Sequence, residues 1–298
     1  MKRVHTFHSI SEYNDFNNHE TLHPLVSVLD YSKAQPRYPS RMHFDLYCIV
    51  LKEVKCGDLK YGRHYYDYQQ GTLVFLSPGQ VIEVENDGGL YQPLGHALAF
   101  HPDLIRGTSL AGSLARHHFF GYSTSEALHL SERERQIVLD CFSKIQFELQ
   151  QSIDKYSRKL IVSNIELFLN YCERFYDRQF TTREHINQGI IEKLEALLND
   201  YFSSDRPQEM GLPSVAYCAH ALHLSVNYFG DLVKRETGKS AQEYLHNKII
   251  EVAKDRIFDV HKTVNDVAYE LGFKYPQHFS RLFKQKTGMT LSAYRTRH

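Results

Sequence analysis

The chain repeats itself in two stretches of its C-terminal third, LSVNYFGDLVKRETGKSAQEYL (224–245) and VAYELGFKYPQHFSRLFKQKTGMTLSAYR (267–295). A shift of fifty residues superimposes apolar and turn positions of the two stretches: Phe229 on Phe279, Leu232 on Leu282, Thr237-Gly238 on Thr287-Gly288, and Tyr244 on Tyr294. A repeat of this kind indicates two copies of one supersecondary unit.

The second copy has the pattern of a helix, a tight turn and a second helix. Thr263 and Asp266 are suited to cap the first helix, and Gly272 permits the positive φ of a sharp turn. Pro276 stands where the first turn of the second helix begins. Apolar residues at helical spacing mark the buried faces: Val267, Ala268, Leu271, Phe279, Leu282 and Phe283. We therefore predict a helix-turn-helix unit at about 263–287.

The first copy predicts another such unit at about 212–236. Ser225 is suited to cap its second helix. His223 occupies the position of Gly272, so we expect a left-handed backbone at His223. Ser240 and Glu243 form a capping box for a long helix that joins the two units.

Two helix-turn-helix units bridged by one helix resemble the DNA-binding domain of AraC/XylS-type transcriptional regulators. The resemblance is carried by the two quoted stretches and covers roughly the last third of the chain. It implies that 189–298 is a DNA-binding domain and that the protein regulates transcription. It also implies double-stranded DNA as a partner, with RNA polymerase as a further partner if the protein activates transcription.

The same resemblance implies which side chains meet the DNA. Base edges are expected to be read from Asn227, Gly230, Asp231, Pro276, Gln277, His278 and Arg281. Phosphates are expected to be bound by Ser225, Lys234, Lys274, Lys284 and Lys286. Gln277 is suited to adenine and Arg281 to guanine. Asp231 can accept a hydrogen bond from cytosine but repels phosphate, so the first helix-turn-helix unit either reads a cytosine-rich half-site or mainly positions the domain.

Composition places the chain among ordinary soluble proteins. Its 298 residues are enough for two domains, and 42% are apolar and 23% charged. The five cysteines are scattered without a C-x-x-C pair, which favours free thiols over disulfides or a zinc site. No apolar run has the length of a membrane span, and MKRVHTFHSISEYNDF (1–16) lacks the apolar core of a signal peptide. We therefore expect a cytoplasmic protein without a membrane partner.

Charge is unevenly distributed although the net charge is zero, with 35 basic and 35 acidic residues. No acidic residue follows Glu270, whereas six basic residues do: Lys274, Arg281, Lys284, Lys286, Arg295 and Arg297. A basic run alone is usually a solvated surface. Because this one coincides with a recognition-helix pattern, phosphate binding is the better interpretation.

Residues 1–125 predict a β-rich domain. Strand-like runs bounded by turn signals occur at 25–31, 46–52, 72–77, 81–85 and 96–100. Short strands at this spacing suggest an antiparallel barrel. AraC-type regulators often carry a cupin-like barrel here, and GTLVFLSPGQ (71–80) looks like part of one. The predicted fold class is therefore α+β in two domains: a cupin-like barrel with following helices, then an all-α domain.

A catalytic cupin is the main alternative function for the first domain. Cupin enzymes gather a close histidine pair, a carboxylate and a third histidine, but His43, His64, His96 and His101 include no H-x-H pair. The chain also lacks a G-x-S-x-G elbow, a phosphate loop and a dinucleotide-binding fingerprint. We therefore expect no enzyme activity, no cofactor and no metal.

A small-molecule effector is the expected ligand of the barrel. Aromatic and cationic residues near the strands are candidates for its pocket: Tyr47, Arg63, Tyr65, Tyr66 and Phe75. Aromatic residues at alternating strand positions are more often plain core. A regulator whose barrel only dimerises, without a ligand, is the other alternative.

Helical spacing replaces strand spacing from Ser131 onward. Ser131 and Glu134 form a capping box for one helix, and a second is predicted from about Asp154 to Tyr176. Residues 126–176 are predicted to form a helical dimerisation segment, with Leu160, Leu167 and Phe168 in a homodimer interface. Packing onto the barrel is the alternative role of both helices. The polar stretch DRQFTTREHINQ (177–188) is predicted to be the linker between the domains.

Overall fold

A computed structural model describes residues 4–52, 71–83, 89–259 and 261–297. The chain divides into two units, Met1–Thr182 and Arg183–His298, and each has its own hydrophobic core. Three predicted pocket residues, Arg63, Tyr65 and Tyr66, lie outside the described residues.

The described strands of the first unit form two sheets. They are β1 Val4–Phe7, β2 Val26–Asp30, β3 Arg41–Phe44, β4 Tyr47–Lys52, β5 Thr72–Leu76, β6 Gln80–Glu83, β7 Gly95–Phe100 and β8 Leu128–His129. One sheet has the order β1-β3-β6 and the other the order β2-β7-β4-β5-β8. All pairs are antiparallel except β1 with β3. The prediction of a β-rich domain is confirmed, whereas closure of the strands into a cupin-like barrel stays a prediction.

The larger sheet is apolar on both faces because both faces are covered. One face joins the smaller sheet and the helix α1, Ile10–Phe16, in a core that includes Tyr13, Leu29, Tyr31 and Cys48. The hydroxyls of Tyr13 and Tyr31 are hydrogen-bonded to each other inside this core. Burial raises the pKa of the Cys48 thiol to about 12, so the thiol stays protonated.

Helices follow the sheets. Two short ones, α2 Pro102–Ile105 and α3 Ser109–Ser113, precede two long ones, α4 Glu132–Leu149 and α5 Ser157–Thr182. The capping box at the start of α4 is confirmed, since the Ser131 hydroxyl accepts from the amide of Glu134 and the Glu134 carboxylate accepts from the amide of Ser131.

The segment predicted as a linker is mostly helical. The helix α5 runs to Thr182, and α6, Glu184–Ser203, begins two residues later. Gln179 is buried, accepts a hydrogen bond from the amide of His129 at 2.8 Å and donates one to the carbonyl of Ala127 at 3.2 Å. Polar contacts therefore anchor this end of α5, which an apolar periodicity could not reveal. The boundary between the two units still falls inside 177–188, after Thr182.

The second unit consists of helices throughout its described residues. After α6 come α7 Arg206–Met210, α8 Val215–Ala221, α9 Val226–Thr237, α10 Ala241–Arg256, α11 Val264–Glu270, α12 Pro276–Thr287 and α13 Leu291–Arg297. The pairs α8–α9 and α11–α12 are the predicted helix-turn-helix units. The helix α10 joins them, as predicted, and contributes to both of their cores. Ala241 and Leu245 belong to the core of the first helix-turn-helix unit, and Ile249 and Ala253 belong to the core of the second helix-turn-helix unit.

Both turns end their first helix with the same hydrogen bonds. In the first helix-turn-helix unit the amide of Leu224 donates to the carbonyl of Ala219 at 2.9 Å, and the amide of His223 donates to the carbonyl of His220 at 3.0 Å. In the second helix-turn-helix unit the amide of Phe273 donates to the carbonyl of Ala268 and the amide of Gly272 donates to the carbonyl of Tyr269, both at 2.9 Å. These are Schellman motifs, which require a left-handed residue after the cap. The left-handed backbone predicted at His223 is confirmed, with φ of 59°.

The two left-handed positions differ in what surrounds them. A Cβ atom on Gly272 (φ 93°) would lie 2.6 Å from the carbonyl carbon and oxygen of Gly211 and 2.7 Å from the carbonyl oxygen of Pro207. Gly272 is therefore required both by its backbone angle and by a close approach of the chain at the end of α7. His223 is exposed and meets only the first requirement, at the cost of a strained angle.

We expect opposite stability changes from substitutions at these two turns. Gly272→Ala should destabilise the protein by clearly more than about 1 kcal/mol, because backbone atoms must move to admit the methyl group. His223→Gly should stabilise it by roughly 0.5–1 kcal/mol, since relief of about 1–2 kcal/mol of left-handed strain exceeds the added chain entropy. Urea unfolding of the full chain measures both. An unchanged midpoint for Gly272→Ala would contradict the close approach.

Candidate nucleic-acid interface

The helix α12 separates an apolar face from a polar one. Phe279 and Phe283 are fully buried in the core of the second helix-turn-helix unit. Gln277, Arg281 and Lys284 are exposed, and their spacing of four and then three residues places them along one face of the helix. The structure thus brings these three predicted residues together on one exposed surface.

The start of α12 carries a second group of side chains. Pro276 is the first residue of the helix, as predicted, and His278 is exposed in its first turn. The ring of Tyr275 lies 5.6 Å from the ring of His278, and the Nζ atom of Lys274 lies 5.7 Å from the centre of the Tyr275 ring. Tyr275 is 49% exposed and was missed by the sequence analysis. Its signal is an aromatic residue at a helix N-cap, where Ser, Thr, Asp or Asn is preferred.

The corresponding face of α9 has shorter side chains. Asn227 and Lys234 are exposed, whereas Gly230 and Asp231 are half-buried. The Ser225 hydroxyl accepts a hydrogen bond from the amide of Tyr228 at 3.2 Å and so caps the helix. Nothing lies within 4 Å of a Cβ atom built on Gly230, so packing does not require glycine at this position of the helix.

Two basic residues of the C-terminal run are engaged within the protein. The Nζ atom of Lys286, a predicted phosphate ligand, lies 3.3 Å from a carboxylate oxygen of Glu243, and the Lys286 side chain is only 23% exposed. Arg295 donates to the backbone carbonyls of Ile257 and Lys262. The interpretation of the whole run as a phosphate-binding surface is therefore wrong for Arg295, whose guanidinium holds the end of α10.

Partial burial, with a contribution from the Lys286 ammonium, lowers the pKa of His246 on α10. The His246 imidazole is therefore neutral at physiological pH. It adds no positive charge beside α12.

The two predicted pocket residues that the structure describes, Tyr47 and Phe75, pack against neighbouring aromatic rings. Phe75 is buried, with its ring 4.5 Å from that of Phe119, and the ring of Tyr47 stacks on Phe100 at 5.0 Å. Both side chains lie on the face of the larger sheet that α5 covers. Aromatic packing beneath the helices accounts for the buried Phe75, and the assignment of the half-buried Tyr47 to a ligand pocket stays a prediction.

The predicted dimer residues divide between the two sides of α5. Leu160 and Leu167 are 44% and 41% exposed, whereas Phe168 is completely buried against Phe142 of α4. Phe168 faces its own sheet because it is one residue, about 100° of helix, from Leu167. Its assignment to a dimer interface is wrong.

Residues 4–52, 71–83, 89–259 and 261–297 offer neither a metal-binding cluster nor a membrane-spanning helix. These residues contain no group of three or more His, Cys, Asp or Glu side chains that could hold a metal ion. None of their helices has both the length and the apolar character needed to cross a membrane.

Comparison with known proteins assigns the chain to a family. Residues 218–297 match a family described as a helix-turn-helix domain. The HTH-type transcriptional regulator YobQ of Bacillus subtilis (strain 168) is 34% identical over 258 residues, which cover 82% of this chain and 95% of YobQ. YijO of Escherichia coli (strain K12) is 25% identical over 229 residues, 76% of each chain. The HTH-type transcriptional activator RhaS of Enterobacter sp. (strain 638) is 23% identical over 256 residues, 85% of this chain and 87% of RhaS.

These relatives match the chain well beyond its helical unit, and YobQ does so over nearly its whole length. The matched family coincides with the two helix-turn-helix units and their connecting helix. The chain belongs to the AraC-type family of helix-turn-helix transcriptional regulators and is a DNA-binding regulator of transcription.

Proposed function

We propose that α12 supplies most of the sequence discrimination of this regulator, while α9 mainly positions the domain on the DNA backbone. The observation that carries the proposal is the contrast between the two exposed faces. On α12, Gln277 and Arg281 are long donors at exposed positions in the first half of the helix. A recognition helix places such residues against base edges in the major groove.

The face of α9 supports a positioning role. Gly230 has no side chain to reach a base, and Asp231 places a carboxylate where phosphates approach. A glycine inside a helix costs about 1 kcal/mol relative to alanine. Because packing does not explain Gly230, a close approach of α9 to the DNA backbone accounts for it. Asn227 and Lys234 then serve as ligands for phosphate or for a neighbouring base.

Three substitutions separate reading from positioning. We expect Arg281→Ala to cost about 1–3 kcal/mol on the operator and to relax preference at one base pair. Gln277→Ala should have a similar effect at another base pair. Asp231→Ala should leave operator affinity unchanged or tighten non-specific binding, because it removes a negative charge that faces phosphates. The measurement is the dissociation constant for operator and for scrambled DNA across a salt series.

The division of roles fails if Asp231→Ala loses operator affinity as strongly as Arg281→Ala while binding to scrambled DNA stays unchanged. The first unit would then read bases, with Asp231 accepting from cytosine.

Two lysines of α12 form a matched pair for the phosphate contacts. Lys284 is exposed, whereas Lys286 is paired with Glu243. Lys284→Ala should weaken binding to all sequences alike and lower the slope of log affinity against log salt by about one. Lys286→Ala should lower that slope by clearly less, because its charge is already partly neutralised. Equal slopes for the two variants would show that DNA releases Lys286 from Glu243.

The N-terminal unit is proposed to sense a small molecule and to hold two copies of the regulator together. Exposed apolar side chains are concentrated at the end of α4, in the connection that follows it and on α5: Phe147, Ile153, Tyr156, Leu160 and Leu167. An apolar surface of this kind favours association with another protein surface. If the protein activates transcription, RNA polymerase is its further partner.

Dimerisation through α5 is tested by charge. The double variant Leu160→Glu with Leu167→Glu should remain folded, because both side chains are exposed, and should become monomeric. Light scattering gives the mass and circular dichroism the fold. Val81→Glu is the control, because Val81 is 49% exposed but lies on β6 of the smaller sheet. A double variant that remains dimeric excludes this face of α5 from the interface.

A further inference from the structure

The strand β2 lies at an edge of the larger sheet, and part of that edge is open. The amide of His101 bonds the carbonyl of Leu25 at 2.8 Å, which fixes the alternation of the ladder with β7. Ser27 and Leu29 therefore bond β7, while Val26, Val28 and Asp30 direct their amide and carbonyl groups away from it. Among the described residues, the outward groups of Val26 and Val28 have no hydrogen-bond partner.

His19 closes one end of this edge. Its Nε2 atom lies 3.1 Å from both the amide nitrogen and the carbonyl oxygen of Asp30. Asp30 in turn uses its carboxylate to accept from the amide and hydroxyl of Ser32, at 3.0 and 2.7 Å. The imidazole blocks further strand pairing at Asp30, and Val26 is buried at 1% exposure, so the open part of the edge lies at the half-buried Val28.

A groove of about 670 Å³ runs beside this edge. Residues of the loop before β2 line one side and residues of α4 line another; the two sets include Asn18, His19, Glu20 and Leu22, and Leu139, Phe142, Ser143, Gln146, Phe147 and Gln150. Its volume is in the range of small-molecule sites. By contrast, Tyr13, Tyr31 and Cys48 are among the side chains that fill the space between the two sheets.

We propose that this groove, rather than the space between the sheets, is the effector site of the N-terminal unit, and that it takes a short peptide. The proposal rests on the sensing role proposed above. It assigns the ligand to the open edge of β2 and to the wall formed by α4.

The chemistry of the groove selects amides. Val28 directs an amide donor and a carbonyl acceptor outward from β2, the pair with which one residue of an extended peptide can exchange two hydrogen bonds. The amide side chains of Gln146 and Gln150 add donors and acceptors on the opposite wall. Leu22 and Phe147, 39% and 62% exposed, provide apolar contacts for side chains. A ligand there would contact α4, whose end carries part of the exposed apolar surface assigned to dimerisation.

The test uses the full chain and two capped dipeptide probes. An acetylated leucyl-valine amide is titrated by calorimetry, alongside the same compound with its internal amide nitrogen methylated. We expect the methylated probe to bind about tenfold more weakly, or not detectably, because it loses a hydrogen bond to the strand edge.

Two variants locate the site on the protein. Val28→Pro removes an outward amide without touching the ladder to β7, the position where an edge strand tolerates proline. Ser143→Trp fills the groove from α4, and Lys144→Trp places the same ring on the exposed neighbouring residue outside the lining. Val28→Pro and Ser143→Trp should lower probe affinity at least about tenfold, and Lys144→Trp should not. Melting temperature and affinity for DNA without probe serve as controls of the fold.

The outcomes are distinct. No binding of the unmethylated probe at millimolar concentration, or binding that both groove variants leave unchanged, overturns the site. Equal binding of the two probes overturns the strand-edge chemistry. Probe binding that is lost in both variants but never changes operator affinity supports the site and instead overturns the sensing role on which it rests. DNA binding without probe does not depend on any of these results.

Discussion

The position of α12 depends on a contact between two stretches of backbone. Gly272, in the second turn, approaches Gly211 so closely that no side chain fits between them. The carbonyl oxygen of Gly211 also accepts a hydrogen bond from the hydroxyl of Tyr201 at 2.8 Å. The turn that precedes α12 is thereby tied to α7 and to the end of α6. In the first turn His223 is exposed and makes no comparable backbone approach, and Leu222 and Leu224 on either side pack against the core that contains Phe229.

The helix α10 makes the two units one domain, and arginines secure its far end. Arg256 donates to the carbonyls of Glu270 and Phe202, and Arg295 donates to those of Ile257 and Lys262. Carbonyls in the last turn of a helix lack helical partners, and a guanidinium can supply several donors to such groups. Positive charge in this domain therefore has two uses. Arg256 and Arg295 bind backbone carbonyls within the domain, whereas Arg281 and Lys284 are exposed on α12.

The helix-turn-helix units could be predicted from the sequence because their signals are local. Thr263 with Asp266, Ser225, Pro276 and the left-handed His223 each act within a few residues of their own position. The errors concern interactions between distant segments. Gln179 is hydrogen-bonded to His129 of β8, fifty residues away in sequence. The polar stretch that was predicted to be a linker is therefore the end of the helix α5. Phe75 is of the residue type that lines pockets, and only its burial against Phe119 and Phe120 reveals it as core.

A net charge of zero is compatible with DNA binding because many acidic residues of the helical unit are engaged internally. The carboxylate of Glu270 lies 2.8 Å from Lys262, that of Glu195 lies 2.9 Å from Lys248, and Glu243 pairs with Lys286. Burial alone would raise the pKa of Glu195, but hydrogen bonds from Tyr244 and Lys248 hold it below its usual range. Exposed ion pairs add little stability, about 0–1 kcal/mol each. Their larger effect is on the local electrostatic field, since each neutralises a carboxylate of the helical unit, and Arg281 and Lys284 stay as exposed charges on α12.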